Sequence, residues 1–385
     1  MTTDHLDLRG RVVTATGILD DAVITVCGER IDDVRSLARW SARNPGMNPP
    51  PHRGLLLPGL VDIHNHGGFG HRFDTTDPDE ARAAASYHHR SGTTTLLASV
   101  VTAAPEVMVG QLAVLRDIAA EGAVAGIHVE GPFLTETRCG AQDPSCMIDP
   151  DPGLIRRMLD AAGGYLRVLT LAPERPGSEA AAAQLADHGV VVALGHSDAD
   201  YERFRRALAP VGQGRLVTHL ANGMAPLHHR APGPVAAALV QAAVGEVVVE
   251  LIGDGVHVEP GFGALVFATA RERVALVTDA MQAAGLADGA YRLGRQPVRV
   301  EGGVARIPGG ALAGGTATLL QCLRWAVAEC GIPLVEAVRA AATTPASVLG
   351  ATDIGDLRAG MYADVLVLDS GLELRAVLRH GQWVT

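Results

Sequence analysis

The sequence predicts an α/β fold, a (β/α)8 TIM barrel with a small β-sandwich domain built from the N- and C-terminal segments. Three observations carry this. From Pro58 to about Gly350, eight short apolar runs alternate with helical stretches. Most of those runs end in a histidine or a carboxylate, which collects polar side chains on one rim. Residues 1–57 and 351–385 instead read as β structure, with alternating apolar runs and glycine turns. A doubly wound open sheet is the competing arrangement. No Gly-x-Gly-x-x-Gly follows a strand, however, and the polar residues sit on many strands, as a barrel rim requires.

In chain order, Arg11–Thr16 and Asp21–Cys27 read as strands, with a turn at Gly28-Glu29-Arg30. The Asn44–Pro51 stretch is a Pro/Asn-rich loop. The barrel strands are Gly59–His64, Thr93–Val100, Val124–Glu130, Tyr165–Leu171, Gly189–Leu194, Arg215–Thr218, Glu246–Ile252 and Val274–Thr278. Helices are expected at Asp79–Arg90, Pro105–Glu121, Gly153–Ala162, Ser178–His188, Asp198–Leu208 and Pro232–Val244. Ala290–Ile307 reads as an inserted hairpin turning at Gly294 and Gly302-Gly303, followed by helices at Thr316–Cys330 and Pro333–Thr343. Residues 58–350 are thus assigned to the barrel domain, and 1–57 with 351–385 to the sandwich domain.

Composition excludes several functions. With 385 residues, 48% of them hydrophobic, the chain can bury a large core. A net charge of −10 and 4% aromatic content leave neither a basic surface nor stacking platforms for nucleic acid. The N-terminus has no basic and apolar leader pattern, and no apolar run is long enough to span a membrane. Five cysteines without a Cys-x-x-Cys fit a reducing cytoplasm. All 32 basic residues are arginine. Schiff-base lysines, P-loop lysines and carboxylated-lysine metal bridges are therefore excluded.

The stretch Pro58-Gly-Leu-Val-Asp-Ile-His-Asn-His-Gly67 organises the chain. Residues two apart on a strand share a face, so His64 and His66 can converge just past its end. A lone His-x-His is more often a pair of turn histidines. Here the other strand ends add Glu130, His196, His219 and Asp279. Histidine and carboxylate on one rim fit a bound divalent metal, Zn²⁺, Fe²⁺, Co²⁺ or Mn²⁺. His128 lies two before Glu130 and reads as an inner barrel residue; His88 and His89 read as helix-surface residues.

Six motifs carry a family resemblance. They are the stretch above, Gly126-Ile-His-Val-Glu-Gly-Pro-Phe133, Leu194-Gly-His-Ser-Asp-Ala199, Thr218-His-Leu-Ala-Asn-Gly-Met224, Asp254-Gly-Val-His-Val258 and Val277-Thr-Asp-Ala-Met281. In this order they resemble the amidohydrolase superfamily, and within it the N-acetylglucosamine-6-phosphate deacetylase family. The resemblance implies metal-dependent hydrolysis of the acetamide of N-acetylglucosamine-6-phosphate, giving glucosamine-6-phosphate and acetate. The alternative is a related N-acetylated sugar phosphate, or a D-amino-acid or cyclic amide. A non-catalytic scaffold would have lost ligands or base, and this chain keeps them.

By the same resemblance, Glu130, His196 and His219 hold the main metal, His64 and His66 match ligands of a second, and Asp279 is the catalytic aspartate. Gln142, Asn222, Gly223, Arg230, His257 and Leu312 match substrate-binding positions. In the family the arginine matching Arg230 reaches in from the neighbouring subunit, which implies a homodimer. Without the family match, His228-His229-Arg230 would read as a solvated basic loop. Cys139 stands where many relatives have lysine. Leu312-Ala-Gly-Gly315 replaces Leu-Ala-Gly-Ser, and the small Ala221 and Gly223 are expected to widen the pocket.

Overall fold

The computed structural model describes residues 5–208 and 214–385. The first four residues, part of the stretch searched for a leader, lie outside these. Eight parallel strands form one sheet in chain order: Leu60–Asp62, Thr93–Val100, Gly126–Glu130, Leu166–Leu171, Val191–Leu194, Gly214–Val217, Val248–Ile252 and Val274–Val277. The ring closes just past the ends of the eighth and first strands. Asp279 N–H donates to the His64 carbonyl at 2.9 Å, and His66 N–H to that of Ala280 at 2.8 Å. Below them, Thr278 Oγ1–H donates to Asp62 Oδ2 at 2.6 Å. The first strand ends two residues earlier than expected, so His64 and His66 stand on the bend beyond it.

Alternation along the strands sorts the interior. Outward residues such as Leu96, Ile127, Leu169, Val192, Val249 and Leu276 pack under the helices. Inward residues such as Val61, Leu97, Val168, Ala193, Leu216 and Ala275 fill the lower barrel. The layer above is polar. Ser99 Oγ lies 2.9 Å from His128 Nδ1, His128 Nε2 lies 2.9 Å from Thr170 Oγ1, and Thr170 meets Thr218 at 2.8 Å. Each buried polar atom in that chain has a partner, which lets a polar layer sit inside an apolar barrel.

Helix starts follow local chemistry. Asp77 and Asp151 each precede a proline and accept hydrogen bonds from the first-turn N–H groups of Pro78–Arg90 and Pro152–Ala162. The helix after the seventh strand, Pro260–Ala270, is apolar on nearly every side, so no sequence period announces it. Among the described residues no helix is long and apolar enough to cross a membrane.

The termini share a second sheet of seven strands, with Val365–Leu368 paired to His52–Pro58, which lies in turn beside His5–Thr14. The segment leading into Val365–Leu368 reaches across to the far edge strand, Arg30–Ser36, and the turn before it. Ile31 N–H donates to the Met361 carbonyl and Ala363 N–H to that of Glu29, both at 2.8 Å. The sheet's inner face encloses a core of Leu8, Val12, Ile24, Leu56, Val365 and Leu378. The inserted hairpin becomes three strands, Gly289–Leu293, Gln296–Glu301 and Val304–Arg306.

His88 and His89 are not surface residues; both are buried. His88 Nε2–H donates to the Gly67 carbonyl at 2.9 Å, and Nδ1 accepts from Asn65 at 3.3 Å, so helix Pro78–Arg90 braces the bend that carries His64 and His66. Burial, aided by His89 and opposed by the Gly67 carbonyl, pushes the His88 pKa down to about 4. An unfolded histidine binds a proton near pH 6.5 that the folded one refuses until near pH 4. This contribution is therefore complete above pH 6.5 and is lost as pH falls toward 4, on the order of 3 kcal/mol. His88→Gln is expected to lower stability at pH 7.5 by about 1–3 kcal/mol and to flatten its pH dependence between 6.5 and 4. Denaturant melts at several pH values test this; an unchanged slope would mean that His88 is charged in the folded chain.

Candidate active site

Four imidazoles and two carboxylates meet at the top of the barrel. Glu130, from the third strand, sits among them. Its Oε1 lies 3.0 Å from His196 Nε2 and 2.9 Å from His219 Nε2, and its Oε2 lies 3.3 Å from His66 Nε2. His64 and His66 bring their Nε2 atoms within 3.1 Å of each other. Asp279 Oδ1 lies 3.4 Å from His64 and 3.2 Å from His66. Two triads, His64–His66–Asp279 and His64–Glu130–His219, each hold their ligand atoms within 4.8 Å of one another. All six residues are buried.

The tautomers make this cage a cation site. His196 Nδ1 faces the Arg138 carbonyl at 2.7 Å. A carbonyl only accepts, so the proton is on Nδ1 and the Nε2 lone pair points at Glu130, another acceptor. His64 repeats the pattern, with Nδ1 2.9 Å from Glu250 Oε2 and Nε2 turned to the cage. Acceptors facing at about 3 Å repel unless a cation lies between them. Imidazole and carboxylate donors without a thiolate suit a divalent first-row ion. In its absence protons serve. Burial opposes charge on His64, yet Glu250, Asp279 and Glu130 together raise its pKa well above the ordinary value. Against the same burial, Asp279 and Glu130 raise His66 to about 9. Asp279, itself buried, is brought down to about 2 chiefly by His64 and His66.

A cavity of ≈ 250 Å³ opens above the cage. His66, Glu130, His196, His219 and Asp279 line it, as do Gln142, Asn222, Gly223, His257 and Leu312. Gln142 accepts from Thr102 N–H at 2.8 Å and donates to Glu130, so it orients the glutamate as well as facing the cavity. His257 is held through Nδ1 by Asp254 Oδ2 at 2.7 Å, leaving Nε2 free. Asn222 donates weakly to the His219 carbonyl at 3.3 Å. His64 lies beneath the rings. Arg230 does not line this cavity; it stands on an exposed loop, 2.7 Å from His229.

Two glycines have reasons that only the fold supplies. A Cβ on Gly223 would come within 2.7 Å of His196 Nδ1, so this glycine makes room for the histidine rather than widening the pocket. A Cβ on Gly315 would meet the Thr278 carbonyl at 2.4 Å. The Gly315 N–H donates to the Asp279 carbonyl at 2.7 Å, so its backbone braces the aspartate.

Residues 55–384 match the amidohydrolase family. The chain belongs to that family. It is 34% identical over 383 residues to the N-acetylgalactosamine-6-phosphate deacetylase of Escherichia coli O157:H7, covering 98% of both chains. It is 34% identical over 369 residues to the N-acetylglucosamine-6-phosphate deacetylase of Vibrio furnissii, covering 94% of this chain and 91% of the relative. Among solved structures, a mutant of the N-acetyl-D-glucosamine-6-phosphate deacetylase of Mycobacterium smegmatis, in complex with N-acetyl-D-glucosamine-6-phosphate, aligns with a TM-score of 0.93. That alignment has 42% identity and covers 99% of each chain.

This amidohydrolase also uses residues the motifs do not name. Glu250 Oε2 accepts from the His219 N–H at 3.0 Å as well as holding His64. Its sequence signal is a single carboxylate inside the apolar run Val247-Val-Val-Glu-Leu-Ile252. Leu293 and Ala311 also line the cavity, brought there by the inserted hairpin and the segment after it. Metal entering the cage must displace protons. Its apparent affinity is therefore expected to rise with pH up to about 9, where His66 loses its proton, by about tenfold per pH unit for each proton displaced. Equilibrium dialysis with Zn²⁺ from pH 6 to 8 tests this, and a flat profile would show that metal entry displaces no protons from the cage. Glu250→Gln is expected to weaken binding by about 10- to 100-fold.

Proposed function

We propose that this chain hydrolyses the acetamide of N-acetylglucosamine-6-phosphate to glucosamine-6-phosphate and acetate. One observation carries the reading. The complete cage of buried histidines and carboxylates floors an open cavity, in a chain that matches amino-sugar phosphate deacetylases over nearly its whole length.

Glu130, His196 and His219 would hold the main ion, Zn²⁺ by preference, and His64 and His66 a second. When bound, a divalent metal supplies Lewis acidity, making water a stronger acid and an amide carbonyl a better electrophile. The chain does the rest. Asp279 is ionised at neutral pH; it takes a proton from the attacking water and returns one to the leaving amine nitrogen, so the C–N bond breaks with a neutral amine departing. His257, fixed by Asp254, presents Nε2 to the substrate's polar groups. Gln142 and Asn222 line the sugar's side of the cavity, with Gly223 and Leu312 shaping its wall. Arg230, outside its own cavity, would clamp the 6-phosphate in the partner's site of a homodimer through its planar guanidinium. Five unpaired cysteines suit a cytoplasmic enzyme.

A second substrate, the galactosamine epimer, is favoured by the similarity to the E. coli relative. Amine release from both N-acetylhexosamine 6-phosphates and from free N-acetylglucosamine, with and without chelator and added Zn²⁺, separates these readings. Chelator-sensitive release from a 6-phosphate alone is expected, and the larger kcat/KM names the epimer. Release from neither, in metal-loaded protein, would sink the substrate class.

Asp279→Asn is expected to keep its metal and lose about 10²–10⁴-fold in turnover; near-normal turnover would remove Asp279 as the base. Arg230→Ala is expected to raise KM at least tenfold, roughly 1.4 kcal/mol of binding, for phosphorylated substrate only. Mixing the two variants should restore low-KM activity if Arg230 serves the neighbouring subunit. No recovery after verified subunit exchange would place Arg230 elsewhere.

A further inference from the structure

His196 has a left-handed backbone, φ +46°, without glycine's freedom. Something must hold its turn, because a small rotation there would swing Nε2 off the cage. The two residues that follow it both bond one carboxylate, that of Glu174, three residues past the fourth strand. Ser197 Oγ–H donates to Glu174 Oε2 at 2.7 Å, and the Asp198 N–H to Oε1 at 2.6 Å. Thr135, on the loop after the third strand, donates its hydroxyl to the same Oε1 at 2.5 Å. Thr135 also donates its backbone N–H to the His196 carbonyl at 3.1 Å. Of the nearby cations, Arg175 is occupied by Glu136 and Asp149, and Arg203 donates to the Glu174 backbone carbonyl at 2.8 Å rather than to its carboxylate.

We propose that Glu174 is a positioning residue for His196: its carboxylate fastens the loop after the third strand to the turn after the fifth and so aims the His196 ring. The inference rests on the metal-ligand role proposed above for His196. Three neutral donors on one carboxylate make charge-assisted hydrogen bonds, about twice as strong as ordinary ones. The ring itself depends on both loops at once. Its Nδ1–H needs the Arg138 carbonyl from the third-strand loop, and its backbone belongs to the fifth-strand turn. Arg138 in turn donates to Asp198 Oδ1 at 2.7 Å, a second tie across the same gap. Without Glu174 the two loops can slide past each other, the proton on Nδ1 loses its acceptor, and Nε2 is no longer aimed at Glu130. Glu174 touches neither the cage nor the cavity, so its effect must appear first in metal affinity and only through that in turnover.

The test uses the full-length chain and its Glu174→Ala and Glu174→Gln variants. Zinc affinity is measured by competition with a chromophoric chelator, alongside melting temperature and kcat and KM at saturating zinc. Glu174→Ala is expected to weaken the tightest zinc site by about 10- to 100-fold, with KM at saturating zinc changed less than about threefold. Glutamine keeps an acceptor for the Asp198 N–H and is expected to recover much of that affinity. If Glu174→Ala fails to fold, Thr135→Val removes one of the three donors and is expected to weaken zinc binding by at least about threefold. Wild-type zinc affinity in Glu174→Ala, whatever its melting temperature, would overturn the inference. A wild-type chain that binds no divalent metal would instead overturn the ligand role of His196 itself.

Discussion

Everything at the top of this barrel serves one unfavourable contact, the facing of acceptor against acceptor around Glu130. Buried lone pairs 3 Å apart with no proton or ion between them would drive the rings away. With a proton or an ion between them they stay, and His64, His196, Glu130 and the backbone of His219 are also held from behind. Glu250 grips His64 and the backbone of His219, the Arg138 carbonyl grips His196, and Gln142 grips Glu130. The result is a site that attracts a cation before any substrate arrives. Its preorganisation is supplied by hydrogen bonds one layer out, and these are the contacts on which metal affinity should depend.

Closure of the barrel and assembly of the site are the same event. The eighth strand meets the first through the Asp279 N–H to His64 carbonyl bond, so the aspartate and the first histidine are adjacent because the ring is shut. Asp62, on which Thr278 and Asn65 converge, fixes that seam from below, although burial pushes its carboxyl up to about 6. Three non-glycine residues of the rim, His196, His219 and Asp279, have positive φ. Each such residue costs about 1–3 kcal/mol, and the surrounding hydrogen bonds offset it. Strain concentrated at the strand ends, over a rigid barrel, is what aims these side chains inward.

The roof is built differently. The cavity wall includes Leu293 from the inserted hairpin, Gln142 from the loop after the third strand and Leu312 from the segment before a late helix. Leu293 and Leu312 lie outside the repeating βα pattern, and Gln142 stands on the loop joining the third strand to its helix. The barrel therefore supplies the chemistry, and the insertions decide which amide can reach it. Arg230, on a separate exposed loop, adds to a cavity only if another copy of the chain brings one to it.

Much of this was legible in the sequence because it is local. Apolar runs of four to eight residues, spaced by helices, specify parallel strands whatever lies around them. A polar residue ending such a run marks the rim, so His64, His66, Glu130, His196, His219 and Asp279 could be named without coordinates. Other features depend on which distant segments come close. His88 and His89 look like the exposed end of an amphipathic helix until that helix is laid against the first strand's bend. Gly223 looks like a smaller side chain until His196 is found pressing on it. Glu250 looks like a lone charge in a strand, and Glu174 like a loop residue, until the partners they hold arrive from far along the chain. Periodicity and strand ends are properties of a few consecutive residues. Burial, hydrogen-bond partners and close approach are properties of pairs, and for these residues the tertiary structure alone decides the pairs.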